Sequence, residues 1–386
     1  MTVVVHLRGF CEGIARVQSV IEGHVVKKLW ALSLISGLLA ACVAAVPSPQ
    51  TMPVRPVERP ASVPPKQTPP RPQIMYSQPP AGLDNAIRAQ WLGFSGKTGV
   101  AVMRIDGGWT IGQRVGELFP QQSVSKTWVA LTVFDHIDRG KLRLDQVVRI
   151  TPADLAVFHQ PIRDRVIADG EIQETVLSLL EQAITASDNS ANDALLRTVG
   201  GPDAVRAFIE KNQLGAIRFG PGERAMQSAI AGVQWRQEYS VGRRFYTARS
   251  AVPYARRKEA LDRYLADPVD GASPSAIVSA LAKLARGELL SAASTQSMLN
   301  IMSRVKSGPN RLKAGVPADW RFAHKTGTGQ ELAPVSTGYN DIGIMTAPDG
   351  TRYAVAVMIS DTTASIPARM AYMQSVSRAV AAYHKR

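Results

Sequence analysis

Two cysteines in 386 residues, Cys11 and Cys42, are too few for a disulfide framework, and their spacing does not suit a metal site. The six histidines are scattered, and no histidine pair, carboxylate cluster or glycine-rich phosphate loop calls for a cofactor, so neither a metal nor an organic cofactor is expected. Aromatic residues supply only 6% of the chain, and no basic helix interleaved with aromatics occurs. A nucleic-acid partner is therefore not expected, although the formal charge is +14. The positive charge is dispersed, apart from Arg256-Arg257-Lys258, as on a solvated surface that works among anionic polymers. No apolar run reaches the ~20 residues of a spanning helix, and no internal repeat is visible.

What is present begins with an unequal distribution of proline. Pro47 to Pro80 holds twelve of the twenty-five prolines and almost no apolar periodicity. Residues 43–82 therefore read as a spacer with polyproline II character, able at ~3.1 Å per residue to reach on the order of 100 Å. Before it, Lys27-Lys28 leads into the apolar run Leu29 to Ala41, which ends Leu39-Ala40-Ala41-Cys42. This pattern resembles a bacterial lipoprotein signal. The resemblance implies that residues 1–42 are a signal segment, that Cys42 is lipidated, and that the protein is held to a membrane in the periplasm. Val43 favours the outer membrane, because the aspartate that marks inner-membrane retention in many enteric bacteria is missing. The polar lead of residues 1–24 suggests a true start near Val25 or Val26. Removing residues 1–41 still leaves a charge of +12, so the basic character belongs to the mature chain.

From Leu83 onward the pattern is that of one mixed domain, residues 83–386. Helical spacing covers Leu83 to Phe94, strands are expected at Gly99 to Ile105 and Trp109 to Gln113, and an apolar helix runs from Thr127 to Ile137. Val147 to Ile150 reads as a short strand, Thr151-Pro152 as a helix start, and Thr175 to Ile184, Asp193 to Val199 and Pro202 to Asn212 as helices. Residues 214–270 look least regular. Helices are expected again from Ser273 to Arg286, Ser291 to Ser303 and Ile366 to His384. Between them lie strands Arg321 to Lys325, Asn340 to Thr346 and Tyr353 to Ser360, the last two joined by Ala347-Pro348-Asp349-Gly350. Strands at both ends with helices between them argue for an α/β domain with an antiparallel sheet.

Three short motifs carry chemistry. Ser123-Val124-Ser125-Lys126 opens the apolar helix, so the hydroxyl and the ammonium share one face beside free backbone N–H groups. Ser187-Asp188-Asn189 follows a helix, and Lys325-Thr326-Gly327-Thr328-Gly329 ends a strand. In this order the trio resembles the class A β-lactamases and serine penicillin-binding proteins, over roughly residues 83–386. The resemblance implies a five-stranded antiparallel sheet flanked by helices, with an all-helical lobe at about 140–290.

It also implies roles. Ser123 is the expected nucleophile, with Lys126 as its base or electrostatic partner. Ser187, polarised by Lys325, would pass a proton to the departing nitrogen. Asn189 would hold Lys126 and the substrate amide, and Thr326, Thr328 and Lys325 the substrate carboxylate. Gly327 would let the strand approach the serine, setting the N–H groups of Ser123 and Thr328 around the oxyanion. An ungapped alignment places the water-activating glutamate at Glu223, 36 residues after Ser187, with Gln227 where the family has asparagine. Pro221, where many members carry an arginine that ties the loop to an aspartate, departs from the family pattern. So do Asp193 in place of asparagine, the long segment 228–270 and an insertion at 330–337 that would border the substrate mouth.

The expected activity is that of a monomeric serine β-lactamase. A D-alanyl-D-alanine peptidase acting on cell-wall peptides and an inactive peptidoglycan-binding scaffold are the alternatives. His324, beside Lys325, reads as a packed strand residue rather than a base.

Overall fold

A computed structural model describes residues 77–384. The signal segment, Cys42 and nearly all of the proline-rich spacer lie outside the described residues.

Five antiparallel strands form the sheet: β1 (Lys97–Arg104), β2 (Thr110–Gln113), β3 (Arg321–Thr328), β4 (Tyr339–Thr346) and β5 (Arg352–Ser360). Their order across the sheet is β2-β1-β5-β4-β3. The order sets the N-terminal strand inside the sheet, between β2 and the central β5, with Val102 opposite Val355. The tight turn at Ala347-Pro348-Asp349-Gly350 closes the β4–β5 hairpin, and Gly350 takes the φ of +89° that this turn needs.

The two-residue alternation of each strand sorts its side chains into two cores. Val100, Val102, Val355, Val357 and Ile359 meet residues of the terminal helices Leu83–Leu92 and Ile366–Tyr383, among them Ile87, Met373 and Val376. On the opposite face Ala101, Ala354, Ala356 and Met358 join the main core with Ile277 and Leu281 of the helix Pro274–Ala285. Small residues on that face allow the helix to pack closely. Each fully buried valine or isoleucine contributes about 1.5–3 kcal/mol before entropy is counted.

The helix Lys126–Asp138 is buried from Lys126 to Asp135, as its all-round apolar sequence requires of a central helix. Around it stand the helices of the lobe. Val176–Glu181 continues into a π-helical turn, Gln182–Ala186, and ends at Ser187 in the left-handed conformation, φ 61°. Asn189–Thr198 starts at the third motif residue instead of at Asp193, because the Asp188 carboxylate caps it by accepting from Ala191 N.

Two local expectations change, and one expected strand gains a partner. Thr151-Pro152 opens only a 3-10 turn, Pro152–Asp154, closed by a reciprocal capping box between Thr151 and Asp154, and the next helix is Arg163–Asp169. Val147–Ile150 has a partner strand, Ile172–Thr175. Residues 214–270 are not irregular but contain the helices Glu223–Ala231, Arg244–Ala251 and Tyr254–Ala266. The last two are rich in arginine and bury few residues, Phe245 in one and Leu261 and Tyr264 in the other, so their apolar signal is weak.

Candidate active site

Ser123 sits in a 3-10 turn, Gln122–Ser125, that runs directly into the buried helix. The residue before it, Gln122, has φ +53°, a strained value for a side chain of its size. Asp270 stabilises that conformation by accepting from Gln122 N at 2.7 Å. On the other side of the turn β3 passes so near that a Cβ on Gly327 would lie 2.3 Å from the carbonyl oxygen of Gln121. Only glycine fits there. Asn340 on β4 fastens the same turn, donating to Pro120 O at 2.7 Å and Gln121 O at 3.1 Å.

Lys126 is the hub. Its buried Nζ donates to Ser123 Oγ at 2.7 Å, Asn189 Oδ1 at 2.7 Å and Glu223 Oε1 at 2.9 Å, which uses all three ammonium protons. Asn189 is turned for this by donating its own amide to Val157 O at 2.7 Å. Glu223 opens the helix Glu223–Ala231, where the partial positive charge of the helix end favours a carboxylate. Gln227, one turn later, donates to Glu223 Oε2 at 3.2 Å. Three side chains from three separate elements therefore meet around one ammonium.

The second cation, Lys325, is also fully buried and donates to Ser187 Oγ at 2.9 Å and Thr326 O at 2.8 Å. Burial first, then the nearby Lys126 and Arg311 charges, hold it well below the usual lysine range. Its ammonium is thus a readier proton donor than an ordinary lysine. Thr326 Oγ1 pairs with Ser307 Oγ at 2.6 Å. Thr328 Oγ1 accepts from Arg311 at 2.5 Å. The cleft lined by Ser123, Ser187, Arg311, Thr326 and Thr328 has a volume of about 810 Å³.

Arg311, absent from the sequence reading, is one of the best-anchored residues of the site. Its guanidinium donates to Gly327 O at 2.8 Å and Asn340 O at 2.7 Å, and stands 3.7 Å from the centre of the Tyr339 ring. Nothing near it in sequence, Gly308-Pro309-Asn310, marks it as functional. Gln330, from the segment 330–337, and Arg249, from the helix Arg244–Ala251, also line the cleft.

The departures noted in sequence each have a structural consequence. Asp193 is buried beside Glu223, accepts from the Glu223 backbone N–H, and is pushed up to about 6 by burial and then by the Glu223 charge. The aspartate at the end of the long segment, Asp270, is held without an arginine, by Gln122 N and by Tyr264 OH at 2.9 Å. Burial pushes it, too, up to about 6. His324 is a buried strand residue whose Nδ1 lies 2.9 Å from Asp341 Oδ1. Among the described residues no group of three or more histidine, cysteine or acidic side chains could hold a metal ion.

Comparison with known proteins gives a consistent result. The family model described as "Beta-lactamase enzyme family" matches residues 82–384. The β-lactamase VEB-1 of Pseudomonas aeruginosa is 28% identical over 281 residues, covering 72% of this chain and 81% of its own. The extended-spectrum β-lactamase PER-1 of the same organism is 30% identical over 263 residues, 68% of this chain and 74% of its own. Among solved structures, the TLA-3 extended-spectrum β-lactamase superposes with a TM-score of 0.66 at 26% identity, over 79% of this chain and 99% of that one. A class A β-lactamase described as the last common ancestor of Gram-negative bacteria gives 0.61 at 31%, over 78% and 99%.

Proposed function

This chain belongs to the β-lactamase enzyme family as a serine hydrolase of class A, and from that premise we propose that it hydrolyses the β-lactam amide through an acyl-Ser123 intermediate, with Glu223 activating the deacylating water. The observation that carries the proposal is the single ammonium of Lys126, 2.7 Å from Ser123 Oγ and 2.9 Å from Glu223 Oε1. Nucleophile and carboxylate are thereby one side chain apart.

In acylation the Ser123 proton passes to the Lys126–Glu223 pair, which acts as one coupled base. Ser123 Oγ bonds to the lactam carbonyl carbon, and the negative charge on the carbonyl oxygen is met by the N–H groups of Ser123 and Thr328. As the C–N bond breaks, the nitrogen takes a proton from Ser187 Oγ, beside the Lys325 ammonium. Ser187 is refilled with the proton that the Lys126–Glu223 pair took from Ser123, so that Glu223 is a carboxylate again. The substrate carboxylate is held by Thr326, Thr328 and Lys325, and Arg311 behind Thr328 adds a fixed positive charge. In deacylation Glu223 takes a proton from water, the hydroxide attacks the ester, and Glu223 returns that proton through Lys126 to Ser123 Oγ as the C–O bond breaks.

A stalled acyl-enzyme, the behaviour of a peptidase on a β-lactam, would require the carboxylate to be out of reach, and the Lys126–Glu223 contact argues against that. The test is Glu223→Ala with a chromogenic cephalosporin. A burst of one equivalent, a persistent mass adduct on Ser123 and a deacylation rate lower by about 10²–10⁴-fold are expected. Undiminished turnover would refute the role of Glu223. Lipidation at Cys42 and a periplasmic, membrane-held location are part of the proposal on the strength of the leader alone; Cys42→Ala would release the protein from the membrane fraction.

A further inference from the structure

Six side chains beside the catalytic carboxylate form one hydrogen-bonded row. Arg249 Nη1 donates to Gln330 Oε1 at 3.0 Å, Gln330 Nε2 to Gln227 Oε1 at 2.9 Å, and Gln227 Nε2 to Gln122 Oε1 at 2.9 Å. Gln122 Nε2 donates to Tyr264 OH at 2.5 Å, and Tyr264 OH to Asp270 Oδ1 at 2.9 Å. All members after Arg249 are buried. None of the three amides is fixed by its own chemistry, since each can be turned over to exchange donor for acceptor.

The two ends fix them. A guanidinium can only donate and an ionised carboxylate can only accept. Asp270 accepts on both oxygens, from Gln122 N on Oδ2 and from Tyr264 OH on Oδ1. A row with a donor-only head and an acceptor-only tail runs in one direction, and reversing any amide in it sets two like groups face to face twice. Gln330 carries a second lock, because its Nε2 also donates to the backbone carbonyl of Gln227 at 2.8 Å, a group that can only accept.

We propose that Arg249 and Gln330 are positioning residues for deacylation, which hold the Gln227 amide with its N–H toward Glu223. The proposal rests on the reading of Glu223 as the group that activates water. Glu223 then has a donor on each oxygen, Lys126 on Oε1 and Gln227 on Oε2, and its carboxylate plane is set. With the amide turned over, its carbonyl oxygen would face the carboxylate, and Glu223 would swing off the water. Arg249 belongs to the long segment 228–270 and Gln330 to the insertion 330–337. The two additions meet across the cleft in one shared task.

The experiment measures acylation and deacylation separately, by rapid mixing with a chromogenic cephalosporin and intact-protein mass spectrometry at neutral pH. Gln330→Glu keeps the acceptor for Arg249 but cannot donate to Gln227. Deacylation is expected to slow by about tenfold or more, with acylation within about twofold, so that acyl-enzyme accumulates at steady state. Should that variant fold poorly, Gln330→Met removes the donor without adding charge and is expected to give the same split. Arg249→Lys, still donor-only, is expected to keep more of the deacylation rate than Arg249→Gln, which can face either way. Glu223→Ala is the control. If it stalls while both Gln330 variants deacylate at the parental rate, the row does not position Glu223 and the inference falls. Equal losses in both steps would also overturn it, as damage to the fold alone. If Glu223→Ala deacylates like the parent, the underlying reading of Glu223 fails instead.

Discussion

The two walls of the cleft are built on different principles. The wall of Ser123, Lys126, Ser187 and Lys325 uses backbone proximity and buried ammonium groups, with Lys126 on a core helix, Lys325 on a sheet strand and the two serines on the turns that adjoin core helices. The opposite wall, from Glu223 through Gln227 to Gln330 and Arg249, uses neutral amides and a half-buried arginine on segments that cross the surface. Charge and backbone specify strongly and tolerate no change. An amide network specifies only when every partner is present.

That contrast can be broken at several points. Lys126→Ala is expected to have the largest effect, because it takes the proton route from Ser123 and leaves Glu223 buried without its counter-charge. Loss of a partner from such a pair costs roughly 3–5 kcal/mol, so acylation and the urea midpoint should both fall, as stopped-flow and equilibrium unfolding would register. Gly327→Ala comes next. The added methyl has no room beside Gln121 O, so β3 must shift, and acylation should drop by about 10²-fold as the oxyanion donors separate. Arg311→Ala should act mainly on binding, raising KM by roughly 10-fold or more while kcat changes less, since the lost charge contacts the ground state and transition state alike.

A gentler effect concerns pH. Asp193 and Asp270 are each raised to about 6, so the folded protein binds their protons more tightly than the unfolded chain does. Their contribution to stability is full below the unfolded value near 4 and is lost as pH rises through about 6, on the order of 1–3 kcal/mol for each. Asp193→Asn should therefore gain stability relative to the parent at neutral pH and lose that advantage in mild acid, as urea midpoints at the two pH values would show. The smallest effect is expected at the exposed pair Lys258–Asp262 on the helix Tyr254–Ala266, where Lys258→Met should leave the midpoint unmoved.

The same contrast explains how much could be read in advance. Ser123, Lys126, Ser187 and Lys325 stand in short motifs whose spacing has a mechanical reason, and alternating valines and alanines announced the sheet that supports them. Glu223 could be reached by a count of 36 residues from Ser187, and the fold brings it to Lys126. Arg311, Asn340 and Gln330 could not, because their importance comes from backbone carbonyls and amides that are remote in sequence, 16 to 220 residues away. The helices Arg244–Ala251 and Tyr254–Ala266 were hidden for a related reason. Held at the surface by a few buried anchors, they lack the apolar stripe by which core helices are recognised.

The seam between Gly327 and Gln121, too narrow for a methyl group, is also too narrow for a water molecule. Apart from the cleft-facing N–H groups of Ser123 and Thr328, the amide protons on its two sides meet solvent only if strand and turn part as a unit, so they should be among the slowest in the domain to exchange with deuterium. Heating would then dissolve the surface helices first and the nucleophile's mounting last, and covalent capture of an antibiotic would outlive much of the secondary structure around it.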